Sequence, residues 1–164
     1  MRPYRYAIAL GSNRRHGRHG APAGVVRAAM GVLETAGLAL VAESPVISTP
    51  ALGPAGRGFA NAVIIVETLR QPPALLALLK AVEAAFGRRR GRRWGPRVLD
   101  LDIVLWSEGR WPRYGGRRLV IPHRSLETRD FVLQPLVRVA PLWRVGSGTR
   151  TVRQARARLI RRAG

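Results

Sequence analysis

Residues 98–106 read VLDLDIVLW and follow an arginine-rich approach, RRWGPR, at 92–97. The nine residues have the length and aliphatic, β-branched character of a buried strand, yet two carboxylates interrupt them. Side chains alternate along a strand, so Leu99, Leu101, Ile103 and Leu105 are expected on one face, with Val98, Asp100, Asp102, Val104 and Trp106 on the other. The two aspartates therefore share a face. Buried carboxylates without partners are costly and two neighbours repel, so a cation belongs beside them. A metal ion and a pair of Arg–Asp bridges, drawn from Arg92, Arg93 and Arg97, both meet that need. The chain has no cysteine, and oxygen-only ligands favour a hard ion such as Mg²⁺, which takes one or two carboxylates together with substrate phosphates. In that case the arginines become phosphate clamps instead of partners for the aspartates.

The elements before this strand give the topology. YRYAIAL (4–10), ending at Gly11, reads as a strand. AGVVRAAMGVLETAG (23–37) carries Val25, Val26, Ala29, Val32 and Leu33 at helical spacing and closes on Gly37. LALVAESPVIST (38–49) reads as a strand that is edge-like or bulged at Pro45. FANAVIIVETL (59–69) is a third strand, and PPALLALLKAVEAAFG (72–87) a second helix with proline at its start and glycine at its end. The strand at 98–106 is the fourth, followed by a hairpin-like segment, short helical pieces and a basic C-terminal helix over TVRQARARLI. The order β-α-β-β-α-β predicts an α+β protein with a ferredoxin-like core and an extra C-terminal hairpin and helices.

Composition sets the outer bounds. A chain of 164 residues, 46% hydrophobic, is expected to form one domain over 1–164. No stretch approaches a membrane span and the N-terminus is too short in apolar residues for a signal peptide, so a soluble cytoplasmic protein is expected. The formal net charge is +20, and Lys80 is the only lysine among 29 basic residues. Such a field attracts nucleotides or other polyanions.

GSN after the first strand, STPALGP (48–54), FANAV (59–63), GRRRGRRWGPRVLDLDIVLW (87–106) and IPHRSLETRDFVLQPLVRVAP (121–141) occur together and in order. Over roughly residues 4 to 143 they closely resemble the 6-hydroxymethyl-7,8-dihydropterin pyrophosphokinases of the folate pathway. The resemblance implies a ferredoxin-like enzyme that moves pyrophosphate from ATP to the pterin hydroxymethyl group with two Mg²⁺ ions. It assigns both ions to Asp100 and Asp102, catalytic roles to Arg88 and Arg90 of a loop and to Arg97 beside the metal strand, and ATP contacts to His123, Glu83 and Arg129. Arg90 and Arg97 would also touch ATP, and Trp94 would close over both substrates. Phe59, Phe131 and Asn61 would hold the pterin ring, with Thr49, Pro50, Ala51 and Leu52 along its edge. Partners implied are ATP and the pterin, met by a monomer with neither a membrane nor a specific nucleic acid. Three features depart from the family pattern: the basic stretch RRHGRHG (14–20), Ala51 in place of a frequent proline, and Arg124 after the histidine. Arg117 and Arg118 fall outside the matched positions.

The alternative is a basic RNA-binding module of the same topology. RGFANAVI (57–64) begins like the central-strand signature of an RNA-recognition motif. That signature then needs aromatics where this chain has Asn61 and Ile64, and RNA binding gives no reason for two buried aspartates.

Overall fold

The structure is a computed structural model that describes residues 1–49, 58–87, 98–112 and 118–164. Pro50, Ala51, Leu52, Arg88, Arg90, Trp94 and Arg97 lie outside the described residues. The elements are β1 (Tyr4–Ser12), α1 (Pro22–Thr35), β2 (Ala39–Glu43), β3 (Ile47–Thr49), β4 (Phe59–Thr68), α2 (Pro72–Ala85), β5 (Asp100–Trp106), α3 (Asp130–Val139) and α4 (Val152–Ala163), with a 3-10 turn at Leu126–Thr128. One antiparallel sheet runs β2-β4-β1-β5, and β3 pairs with β4 further along the edge that β2 occupies. The ferredoxin-like α+β fold predicted from the sequence is the fold observed.

Both faces of the sheet are covered, which is why the central strand β4 is apolar almost throughout. On one side Tyr6, Ile8, Leu10, Ile64, Leu101 and Ile103 pack against α1 and α2. On the other, Ala7, Val63, Ile65, Val104 and Leu105 pack against α3 and α4. The core face of α1 is Val25, Val26, Ala29, Met30 and Leu33. Val32, expected in the core, is 39% exposed, because it sits a full 100° around the helix from Leu33 and Met30 fills the i+4 position above Val26.

Pro45 divides the expected strand 38–49 into β2 and β3. A proline has no N–H to give the ladder, and Ser44 spans the break: its N–H donates to Val63 O at 2.9 Å and its Oγ accepts from Val63 N at 2.9 Å.

Simple alternation fails at one point in β5. Ile8 pairs with Ile103 but Ala7 pairs with Leu105, leaving Val104 as the extra residue of a bulge. A bulge places two successive residues opposite one and resets the alternation. Val104 and Leu105 accordingly both join the α3/α4 cluster, whereas Trp106 turns to the α1/α2 side. Val98, ahead of the strand's first paired residue, packs on that side as well. The bulge comes after the aspartates, so Asp100 and Asp102 keep the shared face expected of them, opposite Gly11 and Ala9 of β1.

Candidate active site

Asp100 and Asp102 stand about 7 Å apart along one strand face, and each lines a different cavity. The first, of about 430 Å³, is bounded by Gly11, Ser12, Asn13, Thr49, Phe59, Asn61, Asp100 and Phe131. The second, of about 390 Å³, is bounded by Leu76, Lys80, Asp102, Ile103, Arg118, Leu119, Val120, His123, Arg124 and Ser125.

Pairing builds the first cavity. Thr49 of β3 lies opposite Phe59, and Asn61 lies between Ile47 and Gly11 in register. A Cβ on Gly11 would meet Asn61 Oδ1 at 3.2 Å, so the bare backbone at the end of β1 makes room for that amide. Phe59 and Phe131 are 48% and 50% exposed. Their rings are thus available to a ligand and are not core packing, the ordinary fate of a phenylalanine. The guanidinium of Arg129 sits 5.7 Å from the Phe131 ring centre. It lines neither cavity, and its charge acts on the Asp102 carboxyl.

In the second cavity, His123 is drawn alongside β5 by its N–H, which donates to Val104 O at 3.1 Å. Its Nδ1 accepts from Ser125 N at 3.1 Å, so the neutral ring carries its proton on Nε2. Trp111 and Ile121 exchange two backbone bonds of 2.9 Å just ahead of the histidine. Glu83, assigned to ATP, is 1% exposed and lines neither cavity. Its Oε1 accepts from Lys80 Nζ at 2.9 Å, and Lys80 is the residue that reaches the cavity. On the buried face of α2, that carboxylate holds the lysine at the cavity.

Burial, and next the charge of Asp100, push the Asp102 carboxyl above the usual carboxylate range; His123, Lys80 and Arg129 oppose that shift. Among the described residues Asp102 makes no ion pair and there is no group of three or more potential metal-ligating side chains.

Several lining residues escape a sequence reading. Lys80 is separated from Glu83 by one helical turn, a spacing that could have signalled the pair. Arg118, placed outside the matched positions, lines the second cavity, three residues before Ile121, which pairs with Trp111. Gly11, Ser12 and Asn13 form the GSN motif but carried no assigned role. The basic stretch 14–20 closes as a turn between His16 and Gly20, and its two histidine rings stack at 4.8 Å and lean on Phe86 at the end of α2. An RNA-recognition platform needs an open sheet face; here helices cover both faces, and Phe59 belongs to the first cavity.

A family model described as 7,8-dihydro-6-hydroxymethylpterin-pyrophosphokinase (HPPK) matches residues 7–141. The chain is 40% identical over 126 residues to the 2-amino-4-hydroxy-6-hydroxymethyldihydropteridine pyrophosphokinase of Methylorubrum extorquens, covering 76% of this chain and 77% of that one. It is also 40% identical over 146 residues to the protein of the same name from Pseudomonas aeruginosa, covering 88% and 85%. Among solved structures, Plasmodium falciparum HPPK-DHPS with pteroate superposes with a TM-score of 0.71 at 13% identity, over 98% of this chain and 43% of that one. The chain thus spans less than half of that solved protein, and the likeness concerns the fold.

Fold and relatives together define the class: an enzyme of the diphosphotransferase type, a pyrophosphokinase of folate synthesis. The chain belongs to the 7,8-dihydro-6-hydroxymethylpterin-pyrophosphokinase family, whose enzymes use ATP.

Proposed function

We propose that this chain, acting as a single monomeric domain over residues 1–164 in the cytoplasm, transfers pyrophosphate from ATP to the hydroxymethyl group of 6-hydroxymethyl-7,8-dihydropterin and releases AMP. The observation that carries this reading is the division of Asp100 and Asp102 between two adjoining cavities of different character. Phe59 and Phe131 offer stacking faces to a flat heteroaromatic ring, and the Asn61 amide offers donors and an acceptor to its edge. Thr49 lines that cavity as well, and the family resemblance gives the rest of that edge to Pro50, Ala51 and Leu52, which lie outside the described residues. Leu76, Ile103, Leu119 and Val120 offer apolar surface to a nucleobase, while Lys80, Arg118, His123 and Arg124 offer cations to its phosphates.

In the transfer, the pterin hydroxyl oxygen forms a bond to the β-phosphorus of ATP. The bond from that phosphorus to the oxygen bridging the α-phosphate breaks, AMP leaves with that oxygen, and the hydroxyl proton passes to water. Such a step needs chiefly positioning and charge neutralisation. His123 offers an Nε2–H to a phosphate oxygen and Lys80 is held in place by Glu83; the family resemblance gives further nucleotide contacts to Arg88, Arg90, Arg97 and Trp94, which lie outside the described residues.

Two Mg²⁺ ions fit this site: Asp102 is a half-buried carboxylate beside a second one, a position that a divalent cation relieves, and two carboxylates with phosphate oxygens form a donor set suited to Mg²⁺. Asp100 and Asp102 would hold them, and bound Mg²⁺ would supply neutralisation of phosphate charge and polarisation of the hydroxyl.

The test is to incubate the protein with ATP, Mg²⁺ and the reduced pterin and to separate the nucleotides. AMP formed in step with pterin consumed supports the reading; ADP, or no pterin-dependent turnover, overturns it.

A further inference from the structure

α4 reads VRQARARLIRRA and holds five arginines with no acidic residue. Its inner side, Val152 and Ala155 with Leu159, is buried against the sheet cluster. Arg156 is tied to Asp130 at 3.0 Å, and Arg150, just ahead of the helix, to Glu127 at 2.6 Å. These pairs occupy the carboxylates of Glu127 and Asp130. Arg153, Arg158, Arg161 and Arg162 are exposed, and among the described residues they make no ion pair.

Helix electrostatics account for part of this only. A cation is favoured in the last turn, where Arg161 and Arg162 stand, and disfavoured in the first, where Arg153 stands. A preference for arginine over lysine does not explain the charge either, because that exchange preserves it; the excess arises from 9 acidic residues against 29 basic ones.

We propose that the exposed face of α4 binds the phosphate backbone of nucleic acid without regard to sequence. Guanidinium forks match phosphate oxygens in pairs, and four of them on one short helix offer a polyanion repeated contacts. An anionic membrane fits less well, since the apolar side of α4 is buried in the core and Ile160 is the one large apolar side chain the helix exposes. The inference does not depend on the transfer reaction, because no residue of α4 lines either cavity.

The experiment measures anisotropy of a short fluorescein-labelled RNA of mixed sequence across a salt series. The chain is compared with a quadruple variant, Arg153→Gln, Arg158→Gln, Arg161→Gln and Arg162→Gln, and with an equal-charge control, Arg2→Gln, Arg15→Gln, Arg18→Gln and Arg27→Gln. Circular dichroism and the thermal midpoint verify that all three are folded. Each lost phosphate contact should lower the salt slope by about 0.7, so the α4 variant should lose up to about 3 of it and roughly tenfold or more in affinity. The control should bind as the parent does. Equal losses in both variants would show that bulk charge alone acts and overturn the proposal. So would absence of RNA binding at moderate salt, or binding to phosphatidylglycerol vesicles in preference to RNA.

Discussion

Asp102 holds an ionisable group in a place that penalises its charge. Its carboxyl titrates above the usual range in the folded chain, so over that interval the folded state binds more protons than the unfolded one. Stability is then lost as pH rises through the folded value. Without divalent ions, Asp102→Asn should melt higher than the parent at neutral pH, and the difference should close below the ordinary carboxylate range; a variant that melts lower at neutral pH would mean the carboxylate is held by a structural bridge. The sequence displayed this residue plainly, because alternation along a strand needs no tertiary information. It concealed Lys80, whose amine is directed by a carboxylate that only the packing of α2 buries. Lys80→Met should raise KM for ATP several-fold and leave KM for the pterin unchanged. Glu83→Gln should do the same, and the double variant should be no worse than either single one, since the glutamate acts through the lysine.

Within elements, local devices decide what periodicity cannot. The Ser44 hydroxyl stands in for a ladder partner where Pro45 breaks the edge. Ser44→Ala leaves the buried Val63 N–H without its acceptor, and chemical denaturation should report a loss of about 1–3 kcal/mol with activity retained. Strand and helix order could be read directly because each apolar run is bounded by Gly or Pro: Gly37 and Gly87, for instance, take up positive φ just past α1 and α2. The β5 bulge could not, since an extra residue in one strand is visible only in its pairing with another. Leu105 was therefore expected on the face that Trp106 takes. The phenylalanines posed a similar difficulty: nothing in the sequence separates a ring that lines a cavity from one in the core, and only the exposure of Phe59 and Phe131 does so.

Over the whole molecule, a net charge of +20 makes ATP arrive in a favourable field and leaves the neutral pterin indifferent to it. Raising ionic strength should lower kcat/KM for ATP and leave that for the pterin nearly constant; equal sensitivity of both would point to salt acting on the fold. The fold brings the two cavities together at one pair of carboxylates, the junction at which the proposed transfer takes place. The most direct measurement is the single-turnover rate of Asp102→Asn with ATP, Mg²⁺ and the pterin, alongside the affinity of each substrate alone. Pterin binding should stay within a few-fold of the parent and the transfer rate should fall by about 10³ or more, as for other groups that stabilise charge in a transition state. Transfer within tenfold of the parent, with Mg²⁺ dependence intact, would contradict that placement of the transfer.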